Sequence, residues 1–320
     1  MNRLPFTAKG VIPAALLPFH EDCSIDFEEF RRHLSYLANV KGVTAICING
    51  NVAQVQTLTP EEQRQCIEHA FDEVGGKVPL LVGINAEGSQ RAAELAAMAE
   101  ASGASGLLVF PPHFMYRGGH LRPEMALVHY KTIAAASKLP LVIFQFKVGS
   151  GLTYPIETVR RLCMEVPTII GMKDSCGDPR LHEKHLRMFR SFDRHVSMLT
   201  THSAWLLSSL ALGCDGLISG SGSVLADIHA ALFAAFEAND LVRARKISDR
   251  LFPIVDVFYG TPPLLDMHTR MKEALVYLGR MKRATVRPPL CPLSDAERER
   301  IYAAIEAVGL KKDGFEGLTY

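Results

Sequence analysis

Lys173 closes a short apolar run, Ile169-Ile170-Gly171-Met172-Lys173-Asp174-Ser175, that reads as a buried strand with an amine at its C-terminal end. Burying an ammonium is costly, so lysines are rarely found inside unless paired or put to use. Burial favours the neutral amine, and a neutral amine attacks carbonyl carbon. Lys173 is therefore a candidate Schiff-base nucleophile. The alternative is a strand-end lysine whose head reaches solvent or the carboxylate of Asp174. Lys147 follows another apolar run, in Gln145-Phe146-Lys147. Near Lys173, its charge would depress the first amine's pKa further; facing outward, it is an ordinary loop lysine. His202, in Thr201-His202, opens a helical pattern and is a candidate proton shuttle near pH 7, or a helix-start histidine bonded locally. His182 and His185 share one helical pattern with no third ligand beside them, so they read as solvated helix residues, and no metal is expected.

These residues need elements to carry them. Apolar runs at 11–17, 45–48, 79–83, 106–110, 141–144, 169–173, 196–199 and 216–219 each precede a helical pattern. Thr59-Pro60-Glu61-Glu62 is a helix start, with Thr59 as N-cap and Glu62 completing a capping box. Later helices are predicted at 180–192, 203–212 and 225–238. The strand runs are almost wholly apolar, as parallel strands covered on both faces should be. Eight strand–helix alternations predict a (β/α)8 TIM barrel over residues 8–238. Residues 239–320 show only helical patterns, at 240–258, 265–278 and 294–308, and predict a C-terminal helical extension packed on the barrel. The segment Tyr259-Gly260-Thr261-Pro262-Pro263 reads as a turn between two of those helices. In such barrels chemistry sits at the C-terminal strand ends. Lys173 is at one, and so are Gly50-Asn51-Val52, Pro111-Pro112-His113, Lys147 and His202.

Composition narrows the class. At 320 residues and 48% hydrophobic, the chain is long enough for one large barrel. A net charge of +1 with no dense Lys/Arg block argues against a nucleic-acid partner. No apolar run reaches membrane-spanning length, and the first residues lack the apolar core of a signal peptide. Seven scattered cysteines without a CxxC pair fit a reduced, cytoplasmic chain. No GxGxxG follows the first strand, so no dinucleotide cofactor is expected, nor any other.

Several segments together resemble the dihydrodipicolinate synthase / N-acetylneuraminate lyase family of class I aldolases. They are Gly10-Val11-Ile12-Pro13-Ala14, Gly50 with Thr57-Leu58-Thr59-Pro60-Glu61-Glu62, Pro79 to Asn85, Pro140 to Phe144, Gly171-Met172-Lys173-Asp174-Ser175 with Gly177-Asp178, and Gly213 to Ser219. The resemblance runs from about Lys9 to about Ala307. It implies an imine between Lys173 and a 2-oxo acid such as pyruvate, an aldehyde as co-substrate or product, and a homodimer or homotetramer. It also implies a substrate-binding set of Gly50, Asn51, Val52, Lys147, Ile218 and Phe114.

The chain departs from that family's pattern at its proton-handling positions. The hydroxyl-bearing GTTGE or GSTGE motif reads Gly50-Asn51-Val52-Ala53-Gln54 here. Asn51 still donates hydrogen bonds, but Val52 cannot relay a proton. The strand-five tyrosine falls on Phe144, and the aromatic donated across the dimer falls on Phe114. Lys147 and Gly149 stand where the family has proline and arginine. Proton transfer is then left to water, His202, Tyr116 or the substrate, and weak or no dihydrodipicolinate synthase activity is expected. A lyase or aldolase of altered scope, a dehydratase of a sugar-derived 2-oxo acid, and a catalytically impaired carboxylate-binding homologue all fit.

Overall fold

The eight apolar runs become eight parallel strands in a computed structural model that describes residues 3–317. They are β1 (Gly10–Pro13), β2 (Ile46–Ile48), β3 (Leu80–Ile84), β4 (Gly106–Val109), β5 (Leu141–Gln145), β6 (Ile169–Asp174), β7 (Ser197–Thr200) and β8 (Gly216–Ser219). Neighbours in sequence are neighbours in the sheet, and β1 pairs with β8 from Gly10↔Gly216 to Pro13↔Ser219. Bridges Val11↔Val43 and Ala14↔Cys47 close the ring between β1 and β2. Nearly every strand residue is buried, because side chains point alternately into the barrel and onto the helices. The architecture is the predicted (β/α)8 barrel.

The surrounding helices are α1 (Phe27–Asn39), α2 (Pro60–Val74), α3 (Ser89–Ala101), α4 (Pro123–Ala136), α5 (Ile156–Glu165), α6 (Pro179–Arg190), α7 (Leu206–Ala211) and α8 (Gly222–Glu237). The predicted capping box is present: Thr59 Oγ1 accepts the Glu62 N–H at 3.1 Å, and Glu62 Oε2 accepts the Thr59 N–H at 2.8 Å. Two helix starts differ from the sequence pattern. After β7 the chain makes a 3-10 turn, Ser203–Trp205, before α7. The Trp205 backbone is non-helical there, and its ring stacks on His202 at 4.1 Å. After β8, α8 begins at Gly222, earlier than the predicted 225, and bends at Leu225. A Gly/Ser-rich stretch reads as loop, but a Cβ at Gly222 would stand 3.0 Å from Pro13 Cα, so close packing requires the glycine.

Three helices follow the barrel: α9 (Leu241–Tyr259), α10 (Met267–Tyr277) and α11 (Asp295–Val308). Tyr259 is the last residue of α9, so the predicted turn begins one residue later, at Gly260. Arg287 fastens this extension over the barrel mouth. Its guanidinium donates to Cys23 O and Thr57 O at 2.9 Å each, pairs with both carboxylate oxygens of Glu62, and lies 4.8 Å from the Phe19 ring centroid. Among the described residues, no helix is long and apolar enough to cross a membrane.

Candidate active site

β6 carries Lys173 at its C-terminal end, paired with Phe144 on β5 and Leu199 on β7. The side chain is only 6% exposed and forms part of the wall of a cavity of about 170 Å³ at the C-terminal end of the barrel. Phe144, Cys47, Gly50, Asn51 and Val52 line the same cavity. Lys173 Nζ lies 3.9 Å from the centre of the Phe144 ring. The ring face favours an ammonium, but burial dominates and lowers the amine to about 8. The Cys47 thiol is buried too and is pushed up to about 11, so it stays protonated. Lys272 on α10 is a second buried lysine, lowered to about 7 by burial, but its amine donates to Thr285 O at 2.6 Å.

The loop after β2 forms a 3-10 turn, Asn51–Ala53, that opens at Gly50. The first N–H groups of such a turn have no partner within it. Asn51 Oδ1 accepts the Gln56 side-chain amide at 3.0 Å, which leaves the Asn51 amide N–H2 as its donor face. His268 of α10 lies 3.0 Å from Asn51 O and steadies the turn.

The remaining predicted residues fall elsewhere. Lys147 is exposed on the loop after β5 and does not line the cavity. Ile218 is buried in β8 opposite Ile12, and Gly220 forms the wall on that side. Tyr116 and Phe114 lie in the 3-10 turn His113–Arg117 on the outer surface. The Tyr116 hydroxyl accepts the Arg117 Nε–H at 2.8 Å, and the Phe114 N–H donates to Glu87 Oε2 at 2.7 Å. His202 is buried one layer behind the cavity, where Thr201 is the lining residue.

Behind Lys173 lies a polar cluster that the sequence pattern did not reveal. Asp174 is fully buried and accepts a hydrogen bond from His182 Nδ1, while His202 Nε2 stands 3.7 Å from Asp174 Oδ2. Burial works against the Asp174 charge, but His182 and the nearby His202 outweigh it and hold the carboxyl well below its usual range. His182 Nε2 reaches Ser209 Oγ at 2.9 Å. His182 and His185 are both fully buried, which corrects their reading as solvated helix residues. The helical spacing was right, but α6 turns that face against β7 and α7. Asp174, Cys176 and His202 bring three donor atoms within 4.8 Å of one another, a set able to hold a divalent cation. Hydrogen bonds to Asp174 from His182, Cys176 and the Cys176 N–H already account for the carboxylate.

The cavity also contains residues the sequence pattern did not single out. Tyr259, Leu264 and Met267 come from the extension and complete its wall. No local motif marks them; their place depends on how the tail folds back over the barrel.

A profile of the dihydrodipicolinate synthetase family matches residues 7–308. A 4-hydroxy-tetrahydrodipicolinate synthase of Bartonella bacilliformis is 31% identical over 95% of this chain and 99% of its own length. A protein of Escherichia coli named a probable 2-dehydro-3-deoxy-D-pentonate aldolase is 24% identical over 94% of this chain and 97% of its own. Among solved structures, the prophage protein YagE of Escherichia coli, described as in complex with pyruvate, superposes with a TM-score of 0.87. It is 23% identical and covers 95% of this chain and 99% of its own.

Proposed function

Because this chain belongs to the dihydrodipicolinate synthetase family, we propose that it is a Schiff-base lyase or aldolase that takes pyruvate or another 2-oxo acid on Lys173. The observation that carries this reading is the buried Lys173 amine in the wall of the barrel-mouth cavity. With its pKa near 8, about a tenth of the amine is neutral at pH 7, against a few parts in ten thousand for an ordinary lysine. The neutral amine adds to the C2 carbonyl, and water leaves to give an iminium. That cation is the electron sink for breaking or making the adjacent carbon–carbon bond. The Asn51 amide and the free N–H groups of its turn hold the substrate carboxylate. Phe144 walls the site without supplying a proton.

The names of relatives support a 2-oxo acid but divide over its partner: one is a synthase, another a sugar-acid aldolase. The aldolase name favours a sugar-derived substrate, and both cleavage and dehydration of such a compound start from the same iminium. Product analysis separates them: pyruvate release marks the lyase, and water loss without chain cleavage marks the dehydratase.

Borohydride reduction in the presence of pyruvate, followed by peptide mass spectrometry, tests the nucleophile. One adduct per chain is expected on Lys173 and none in Lys173→Ala. An adduct on Lys147 or Lys272, or one that survives in Lys173→Ala, sinks the assignment.

A further inference from the structure

The cavity loses a phenol at Phe144 and gains one from the extension. The geometry points to Tyr259 as the acid–base residue of this site, acting from the end of α9 on the Lys173 adduct. The inference rests on the Schiff-base reading above.

Tyr259 lines the same cavity as Lys173. Its hydroxyl stands beside Val52 and Gly220: a Cβ built on Gly220 would lie 2.5 Å from Val52 Cγ1 and 3.4 Å from the Tyr259 oxygen. The phenol and Val52, which cannot relay a proton, thus both pack against Gly220. Its oxygen accepts the Ser221 N–H at 2.9 Å. Behind it, the hydroxyls of Ser203, Ser219 and Ser221 form a closed triangle with edges of 3.0, 3.1 and 2.9 Å, all three buried. Burial raises the phenol above its ordinary value, and hydrogen bonds with those serines offset part of the rise. The resting group is therefore a protonated phenol with donors already placed to support its anion.

Other protic groups in the cavity serve less well. The Cys47 thiol interacts with Lys173 but turns its proton to Ile48 O at 4.0 Å, and among the described residues no hydrogen bond to the sulfur supports its anion. Ser175 and Thr201 line the wall, but alcohols are far weaker acids than a phenol. His202 and Tyr116 do not line the cavity.

Attack of the amine on the carbonyl gives a neutral carbinolamine. Tyr259 donates its proton to the carbinolamine hydroxyl, the C–O bond breaks, and water leaves. The nitrogen lone pair forms the C=N bond, leaving an iminium cation and a Tyr259 phenolate. The Ser221 N–H and the serine hydroxyls stabilise the phenolate, as donors preplaced for developing charge do. The phenolate then removes a proton from C3. The C–H electron pair becomes the C2=C3 bond, the C=N pair returns to nitrogen, and the enamine and the phenol remain. Tyr259 ends each cycle in the state in which it began.

The test is exchange of the pyruvate methyl protons in deuterated water, followed by NMR beside endpoint borohydride trapping. Tyr259→Phe is expected to keep the Lys173 adduct at the endpoint while exchange slows by roughly 10²- to 10⁴-fold, the usual worth of a general acid–base. A merely structural role would alter both together. A second form of the protein, with 3-fluorotyrosine at position 259, keeps the ring and lowers the phenol's pKa. Its exchange profile is expected to move to lower pH, and an unmoved profile overturns the role even where Tyr259→Phe folds poorly. Exchange within about threefold of wild type in Tyr259→Phe, with the adduct intact, removes Tyr259 and leaves the Lys173 chemistry standing. A wild-type chain that forms no adduct brings down both.

Discussion

Lys173 keeps its amine in a desolvated place that disfavours its charge, and that has a thermodynamic signature. Its pKa falls from 10.5 unfolded to about 8 folded. Between those values the unfolded chain binds a proton that the folded chain does not, so falling pH lowers stability through this window. Below pH 8 the cost is complete, on the order of 3 kcal/mol. Lys173→Met is therefore expected to stabilise the protein at pH 7 by roughly that amount. The gain should vanish as pH rises through 8 towards 10.5, as read by urea unfolding at each pH. Equal stability of the two proteins at pH 7 would mean that the amine is not desolvated. The same value sets kinetics: the rate of adduct formation should rise about tenfold per pH unit below 8 and level off above it. At this scale Lys173 and the Gly50–Val52 turn are legible because a short segment carries each of them. The role of Tyr259 is not, because nothing around it in sequence differs from an ordinary helix end.

At the scale of elements, the strands are legible because parallel strands buried on both faces leave long apolar runs. The turn at Ser203–Trp205 and the early start of α8 are not, because ring stacking and close backbone approach decide them. Two elements can be probed directly. The loop after β8 touches the turn after β2 through Gly220, where a methyl would meet Val52 Cγ1 at 2.5 Å. Gly220→Ala should push that turn into the cavity. The expected result is a KM for the 2-oxo acid raised tenfold or more, with stability lowered by about 1–3 kcal/mol. An unchanged KM would place substrate away from this wall. The second probe is the cluster that ties β6 to α6. His182→Leu removes the main partner of a buried carboxylate, and such losses cost about 3–5 kcal/mol. Denaturant unfolding measures it, and a loss under about 1 kcal/mol would show that the Cys176 donors and the nearby His202 suffice for Asp174.

Taken whole, the chain builds its site from both ends. The barrel supplies Lys173, and the extension supplies Tyr259, Leu264 and Met267, held down by Arg287 on the loops after β1 and β2. The outer face near β4 carries exposed apolar side chains. Phe114 is 61% exposed, Leu121 66% and Val128 60%, with Met125 beside them. Phe114, Met125 and Val128 line one apolar groove there, and such a face is proposed as a contact site. A rigid aromatic at its centre is the type of residue that anchors interfaces. A homodimer or homotetramer in which Phe114 reaches a neighbour is the expectation to test. In one chain it lies outside the cavity, so any part it plays in binding must be played across that contact. Sedimentation at micromolar concentration is expected to give a mass of at least twice the 35.2 kDa chain. Phe114→Arg buries a charge at the centre of the contact and should shift the protein to monomer while circular dichroism stays unchanged. A wild-type chain that sediments as a monomer, or a Phe114→Arg variant that still assembles, would move the contact off this face.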